Sequence, residues 1–255
     1  MRPKRVWIVA LVGLVLAEAA VIGFLGAREY WRGRAQGTAV VRGRAVADKI
    51  GCFGCHGPGG AAPIPNPGAR GGKVPMWTGG TWMMYNDSED DIRGWILDGH
   101  PPGREPDAGA LIPMPAYRGE VSATDLEDLV SYVLAVSQFG RPDDPDAAAG
   151  RSVASRYGCF GCHGPEGRGL IENPLSFKGY IPPWDGADYL ELVGDGEEFR
   201  QWVKNGISDR FRDNPAARAF VDRQIVPMPA FGDIISDEEI DQLLRYVEWV
   251  RSNPR

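Results

Sequence analysis

Cysteine and histidine are scarce in this chain, with four Cys and three His among 255 residues. All four cysteines and two of the histidines fall in two copies of one pentapeptide, Cys-Phe-Gly-Cys-His, at Cys52–His56 and Cys159–His163. No thiol is left over, and the same peptide recurs whole. Chance is therefore a poor explanation, and the two peptides are the first candidate sites.

A basic surface is also missing. Residues 1–34 contain six Lys or Arg and two Asp or Glu, which leaves 22 basic and 32 acidic residues in the rest of the chain, a formal charge of −10. Nucleic-acid binding depends on clustered Lys and Arg that neutralise phosphates, so this balance argues against nucleic acid. It favours basic docking partners, which long-range electrostatic attraction would steer.

Sustained alternation of apolar and polar residues is absent as well, so the sequence predicts an all-α fold rather than a sheet. The 34 Gly and 21 Pro indicate long loops wrapped around something other than the polypeptide. Apolar periodicity and capping residues predict the helices. They lie near 38–50 and 146–157, from Asp87 or Ser88 to Asp98, and after Ser122 and Ser236.

Cys-x-x-Cys-His is the attachment signature of c-type haem. The two thiols form thioether bonds to the haem vinyl groups, and the adjoining imidazole binds the iron. The sequence therefore predicts two covalent haem c groups, held by Cys52, Cys55, Cys159 and Cys162, with His56 and His163 as iron ligands. A redox-active Cys-x-x-Cys pair or a zinc site are the alternatives. Neither explains why a histidine follows both times.

The two pentapeptides belong to a longer internal repeat. An offset of 107 residues aligns the cysteines and also Pro75 with Pro182 and Trp77 with Trp184. Further on the offset becomes 114, and Pro-Met-Pro-Ala recurs at 113–116 and 227–230. We predict an N-terminal segment at 1–37, a first repeat at 38–140 and a second repeat at 141–255, joined by an acidic linker that contains proline.

The repeat also predicts the second iron ligand. The first repeat offers several candidates, whereas the second has a single methionine and no histidine after its pentapeptide. These candidates are Met76, Met83, Met84, His100 and Met114 in the first repeat and Met228 in the second. Met228 aligns with Met114, so shared ancestry predicts these two as ligands. Proline on both sides stiffens the loop that would present each thioether.

Two further predictions concern polar groups near the iron. His100 is either a surface or propionate-adjacent residue, or a ligand in place of Met114. The histidine ligands should donate their second ring N–H to an acceptor. Pro67 and Pro174 follow His56 and His163 at equal spacing, and we predict their carbonyls as these acceptors.

The N-terminal segment is strongly apolar. Residues 6–27 are interrupted only by Glu18, and they are long enough to cross a bilayer as a helix. A cleaved signal peptide ending near Ala17-Glu18-Ala19 is the alternative. The apolar run continues past that point, and Tyr30 and Trp31 then stand where an interfacial aromatic belt would lie. We therefore predict a single membrane-spanning anchor.

These residues resemble the class I c-type cytochromes. Each repeat is similar to one such domain, with an N-terminal helix, Cys-x-x-Cys-His-Gly, a Met loop and a C-terminal helix with an aromatic residue. The resemblance implies that Gly43 and Gly150 let the first and last helices cross closely, against Tyr132 and Tyr246. The whole chain resembles a membrane-anchored tandem di-haem cytochrome. Covalent haem is attached outside the cytoplasmic membrane, which implies a cytoplasmic N-terminus and periplasmic haem domains in a bacterium.

The predicted function is electron transfer without substrate chemistry, because Met and His fill both axial positions. The expected partners are a membrane redox complex, such as a quinol-oxidising complex, a reaction centre or a terminal oxidase, and a soluble electron carrier. A di-haem peroxidase-like enzyme or the cytochrome subunit of a dehydrogenase is the alternative, since an open or labile haem would allow catalysis.

Overall fold

The structure is a computed structural model, and it describes residues 3–35, 37–79, 84–139 and 142–254. The described part is mostly helical, in agreement with the predicted fold class. In chain order the α-helices are α1 Pro3–Ala35, α2 Ala39–Lys49, α3 Phe53–His56, α4 Glu89–Asp98, α5 Ala123–Ser137, α6 Pro145–Arg156, α7 Cys159–His163, α8 Tyr189–Leu192, α9 Gly196–Asn205, α10 Asp209–Arg212, α11 Pro215–Val221 and α12 Asp237–Ser252.

Side-chain caps determine where the predicted helices begin. Ser88 and Ser236 each form a capping box with the carboxylate three residues later, and Ser122 accepts the amide of Asp125. Each of these hydroxyls satisfies an amide that has no partner inside its own helix. The sequence left Asp87 and Ser88 open as the cap of α4, and the structure places Ser88 there.

Helix α1 carries the apolar N-terminal run. Its Trp7–Gly33 portion is long and apolar enough to cross a membrane, and none of its most apolar stretch is buried in the protein. A helix that is apolar on all sides and unburied has no water-compatible face. By length and composition, α1 is a candidate membrane span.

The first and last helices of each repeat cross at a glycine. A Cβ at Gly43 in α2 would overlap the Asp128 carbonyl oxygen in α5, and it would lie 2.9 Å from the Tyr132 Cβ. In the second repeat, a Cβ at Gly150 in α6 would overlap the Gln242 carbonyl oxygen in α12. Tyr132 and Tyr246 are buried at these crossings. The close helix crossing that the resemblance implied is confirmed.

Two features of the second repeat were not predicted. Residues Ile171–Glu172 and Tyr180–Ile181 form a two-residue antiparallel pair, β1 and β2, at the base of the turn formed by residues 173–179. The extra residues between Gly206 and Pro227 form α10 and α11, where the sequence shows only a polar, Arg-rich stretch. Helices this short lack a clear apolar period, so sequence patterns do not detect them.

Candidate haem-binding sites

Each pentapeptide forms one helical turn directly after the first helix of its repeat. In the first repeat, the Cys52 amide donates to the Ala47 carbonyl at 2.9 Å, and the His56 amide donates to the Cys52 carbonyl at 3.0 Å. This turn brings both thiols and the imidazole to the wall of one cavity. Cys52 and His56 are buried, and none of the four cysteines is in a disulfide bond.

The carbonyl of Pro75 orients the His56 ring. His56 Nδ1 lies 2.9 Å from the Pro75 oxygen, which leaves Nε2 as the nitrogen able to bind iron. The prediction of Pro67 as acceptor was wrong. The Pro67 carbonyl instead accepts the Leu111 amide at 3.0 Å, which ties the haem-side loop to the methionine loop.

The second repeat differs in the hydrogen bond between its histidine ring and a proline carbonyl. His163 Nδ1 is buried without a hydrogen bond of regular geometry, although the Pro182 carbonyl lies near enough to act on its pKa. Pro182 is the equivalent of Pro75. The Pro174 carbonyl faces the Ile225 amide at 3.4 Å, so Pro174 also does not serve as the histidine acceptor.

A tryptophan packs on each histidine in the same way. The rings of His56 and Trp77 have centroids 4.9 Å apart at 37°, and those of His163 and Trp184 are 5.0 Å apart at 39°. Each tryptophan also contacts the crossing tyrosine of its repeat edge-on. This packing holds the imidazole in one orientation, and the near identity of the two geometries shows that the repeat extends to side-chain placement.

The predicted ligands meet in two separate cavities, of about 290 Å³ in the first repeat and about 520 Å³ in the second. Cys52, Cys55, His56 and Met114 line the first cavity. Cys159, Cys162, His163 and Met228 line the second. In each repeat the tertiary fold therefore brings two thiols, an imidazole and one thioether to the same space, although the methionine lies far along the chain.

The other candidate iron ligands of the first repeat do not all line its cavity. Met84 also lines the first cavity, with 49% of the residue exposed. Met76 and His100 are not among the lining residues, and His100 Nδ1 faces the Pro101 carbonyl at 3.3 Å. Met83 lies outside the residues that the structure describes.

An asparagine in each repeat clamps the methionine loop. The Asn66 side chain donates to the Ile112 carbonyl and accepts its amide, both at 2.9 Å. Asn173 makes the same pair of bonds with Val226, again at 2.9 Å. Both asparagines are buried, and each holds the residue two positions before the methionine. This role was not predicted from the sequence, although Asn66 and Asn173 align at the repeat offset.

Burial favours the uncharged forms of both histidine rings and of two cysteine thiols. It lowers the pKa of His56, and it lowers the pKa of His163 to about 4, so both imidazoles are neutral near pH 7. A neutral imidazole is the form that binds a metal. Burial raises the pKa of the Cys52 and Cys159 thiols to about 11, which favours the uncharged form.

These features fit haem c. The cavity walls are largely apolar, as a porphyrin face requires, and they carry Trp77 and Trp184 beside the histidines. The donor set of neutral imidazole and thioether is that of a six-coordinate c-type cytochrome. No group of three or more His, Cys, Asp or Glu arranged to hold a metal ion directly is found among the described residues, which argues against the zinc alternative.

Comparison with known proteins assigns both repeats. Residues 40–137 match the family described as cytochrome c. Residues 145–247 match the family described as cytochrome c oxidase, cbb3-type, subunit III. The chain is 31% identical to the cbb3-type cytochrome c oxidase subunit CcoP of Rhodobacter capsulatus over 124 residues, which are 48% of this chain and 38% of that protein.

A solved structure, a chain of the reducing HAO-like protein complex of Kuenenia stuttgartiensis, is 18% identical and covers 82% of this chain and 95% of its own length. Its TM-score of 0.29 is too low to support an argument about fold. The family matches and the two cavities agree on one conclusion. The chain belongs to the c-type cytochromes, and it carries two of their domains in tandem.

Proposed function

We propose that this chain is a membrane-anchored, electron-transferring subunit of a terminal oxidase complex of the cbb3 type. The supporting observation is that each repeat brings Cys, Cys, His and Met to one cavity. We assign Cys52, Cys55, His56 and Met114 to one haem c and the corresponding set of the second repeat to another. The domains of this proposal are residues 38–140 and 141–255.

Haem c, when bound, supplies a one-electron iron couple, and the residues of the chain determine how that couple is held. The Cys pair would attach the group to the helical turn that follows the first helix of each repeat. The imidazole and the thioether would both bind the iron, which would raise its potential and leave no site for a substrate. This arrangement suits a carrier that delivers electrons towards an oxidase rather than a peroxidase-like enzyme.

The membrane assignment rests on α1. We propose that α1 spans the cytoplasmic membrane once, with its N-terminus in the cytoplasm and both haem domains in the periplasm. The name of the Rhodobacter capsulatus relative supports an oxidase complex as the partner. The acidic balance of the residues after 34 favours a basic soluble donor, if one docks to the outer surface.

Carbon monoxide binding and peroxide turnover, measured on the reduced holoprotein, test the proposed electron-carrier function. Full-length protein in mild detergent should show no spectral change with carbon monoxide and no peroxide turnover, because His and Met would together hold each iron. Gentle extraction of the native membrane should yield a terminal oxidase as the co-purifying partner. Stoichiometric carbon monoxide binding without denaturant would contradict the carrier function and favour the enzyme.

The hydrogen bonds of Asn173 to the methionine loop lead to a prediction about the bond between Met228 and iron. Asn173→Ala removes two hydrogen bonds and leaves the partly buried amide and carbonyl of Val226 without this partner, at a cost of about 1–3 kcal/mol. The Met228 loop should loosen, so that part of the reduced protein binds carbon monoxide. Optical titration with carbon monoxide, performed on full-length protein, measures that fraction.

Asn253→Ala is the matched control for this experiment. Asn253 lies at the exposed end of α12, and its side chain donates to the Trp249 carbonyl at 2.9 Å. This variant should bind no carbon monoxide. Equal carbon monoxide binding by the two variants, or none by Asn173→Ala, would show that the asparagine does not hold the ligand loop.

A further inference from the structure

The C-terminal end of α1 packs on the second repeat, although the first repeat follows it directly in the chain. The rings of Trp31 and Phe177 have centroids 4.6 Å apart. The Lys178 ammonium lies 4.9 Å above the Trp31 ring, and the Tyr180 hydroxyl donates to the Trp31 carbonyl at 2.6 Å. The turn between β1 and β2 is thus attached to the end of the candidate membrane span.

A second contact lies deeper along α1. Phe24 stacks on Phe220 of α11, with ring centroids 5.9 Å apart at 18°, and Phe220 in turn contacts Phe177 at 5.1 Å. The apolar run of α1 ends at Ala27. Phe24 precedes Ala27 by three residues, about 4.5 Å along a helix at 1.5 Å per residue. If α1 spans the bilayer, Phe220 therefore lies at the boundary of the hydrocarbon layer.

Exposed apolar side chains surround this point of contact. Leu175 is 59% exposed and Ile225 63%, and neither lines the cavity of the second repeat. Phe177 contacts Phe220, and the Ile225 amide faces the carbonyl of residue 174, next to Leu175. We name Leu175, Phe177, Phe220 and Ile225 the seating patch. Exposed apolar patches of this kind mark binding surfaces.

The first repeat contains the same turn but lacks the apolar side chains of the patch at two of its positions. The amide of residue 66 donates to the carbonyl of residue 72, and the amide of residue 173 donates to that of residue 179, both at 2.9 Å. Gly68 occupies the position of Leu175, and Arg70 that of Phe177. Both Gly68 and Leu175 are left-handed, with φ of 80° and 70°. An exposed leucine in a conformation that favours glycine is strained, which points to a function.

Basic side chains accompany the patch. Arg218 and Arg223 are exposed and flank Phe220 in sequence. Arg32, just after the apolar run, pairs with Glu172 at 2.9 Å. Aromatic and apolar groups bordered by arginine are the composition of a protein surface that enters the interfacial layer of a membrane.

We propose that the seating patch lies in the interfacial layer of the lipid bilayer and holds the second repeat on the membrane surface. This inference rests on the proposed membrane anchoring by α1. Phe177 and Phe220 also line the cavity of the second repeat. The second haem site is therefore the one beside the membrane, in spite of its position at the far end of the chain.

Photo-cross-linking of the full-length holoprotein tests whether the seating patch contacts lipid. A photoreactive diazirine amino acid replaces Ile225 in one variant and Val15, near the middle of α1, in another. The protein is placed in vesicles of phosphatidylcholine and phosphatidylglycerol without any partner. We expect lipid adducts at both positions, detected by mass spectrometry of the peptides.

Leu111 provides the matched control position. It is the equivalent of Ile225 in the first repeat, it is 72% exposed, and its amide faces the carbonyl of Pro67 as that of Ile225 faces Pro174. We expect only background adduct there. Equal amounts of lipid adduct at Leu111 and Ile225 would overturn the proposal that the seating patch lies in the interfacial layer. The proposal that α1 spans the membrane would still stand. No adduct at Val15 would overturn the anchoring, and the seating with it.

Leu175→Gly separates a loss of seating from a loss of folding. Glycine relieves the left-handed strain, so the melting temperature should rise or stay unchanged. The lipid adduct at Ile225 should nevertheless fall. An unchanged adduct in this variant would overturn the role of the patch. Adducts with protein in native membranes, together with none to lipid in vesicles, would show that the patch binds a protein subunit instead.

Discussion

Replacing Met114 with His is expected to lower one of the two reduction potentials of the holoprotein and to leave the other in place. Imidazole replaces a thioether, and Met/His ligation gives the higher potential. Axial ligands set haem potentials over a range of about 0.8 V, so a shift on the order of 0.1 V or more is expected. Spectroelectrochemical titration of the full-length protein resolves both potentials.

Met84→His is the matched control, because Met84 lines the same cavity as Met114. If Met114 is the ligand, Met84→His leaves both potentials near their original values. A large shift in Met84→His with none in Met114→His would show that the two repeats use different ligand loops. In that case the alignment of Met114 with Met228 would not reflect a shared function.

Replacing Cys159 and Cys162 together with Ser is expected to remove one of two covalent haem groups. The serine hydroxyl cannot form the thioether, so the mass of the purified chain should fall by one haem. The cavity of about 520 Å³ would lose the group that fills it, and the second repeat should become markedly less stable. Intact mass spectrometry and haem staining after denaturing electrophoresis measure the loss.

The same exchange at Cys52 and Cys55 is the counterpart in the first repeat. Each double variant should retain one haem, and the combination of all four substitutions should retain none. A double variant that keeps two covalent groups would contradict the assignment of the pentapeptides. So would a native chain whose mass is that of the polypeptide alone.

Local sequence predicted most of the fold because its signals act over a few residues. Ser122 and Ser236 cap the last helix of each repeat, since a hydroxyl at that position satisfies amides three residues on. Gly43 and Gly150 lie at the helix crossings as the resemblance implied. In contrast, α10 and α11 escaped prediction because they are too short to show an apolar period.

The acceptor of the histidine ring was predicted incorrectly for a physical reason. Pro67 and Pro75 both follow His56 at a spacing that the second repeat reproduces, so the alignment could not separate them. Only the path of the loop decides which carbonyl reaches Nδ1, and that path brings Pro75 to 2.9 Å. The Asn66 clamp was missed for the same reason, since its partner Ile112 is distant in sequence.

The sequence by itself placed two thiols and an imidazole side by side at each candidate site, because groups within five residues need no tertiary contact to be adjacent. It also determined the repeat and the apolar span of α1. The tertiary structure alone decided which repeat touches that span. Phe24 and Trp31 pack on Phe220 and Phe177, far away in the chain, because burying these aromatic rings stabilises the contact whatever their separation in sequence.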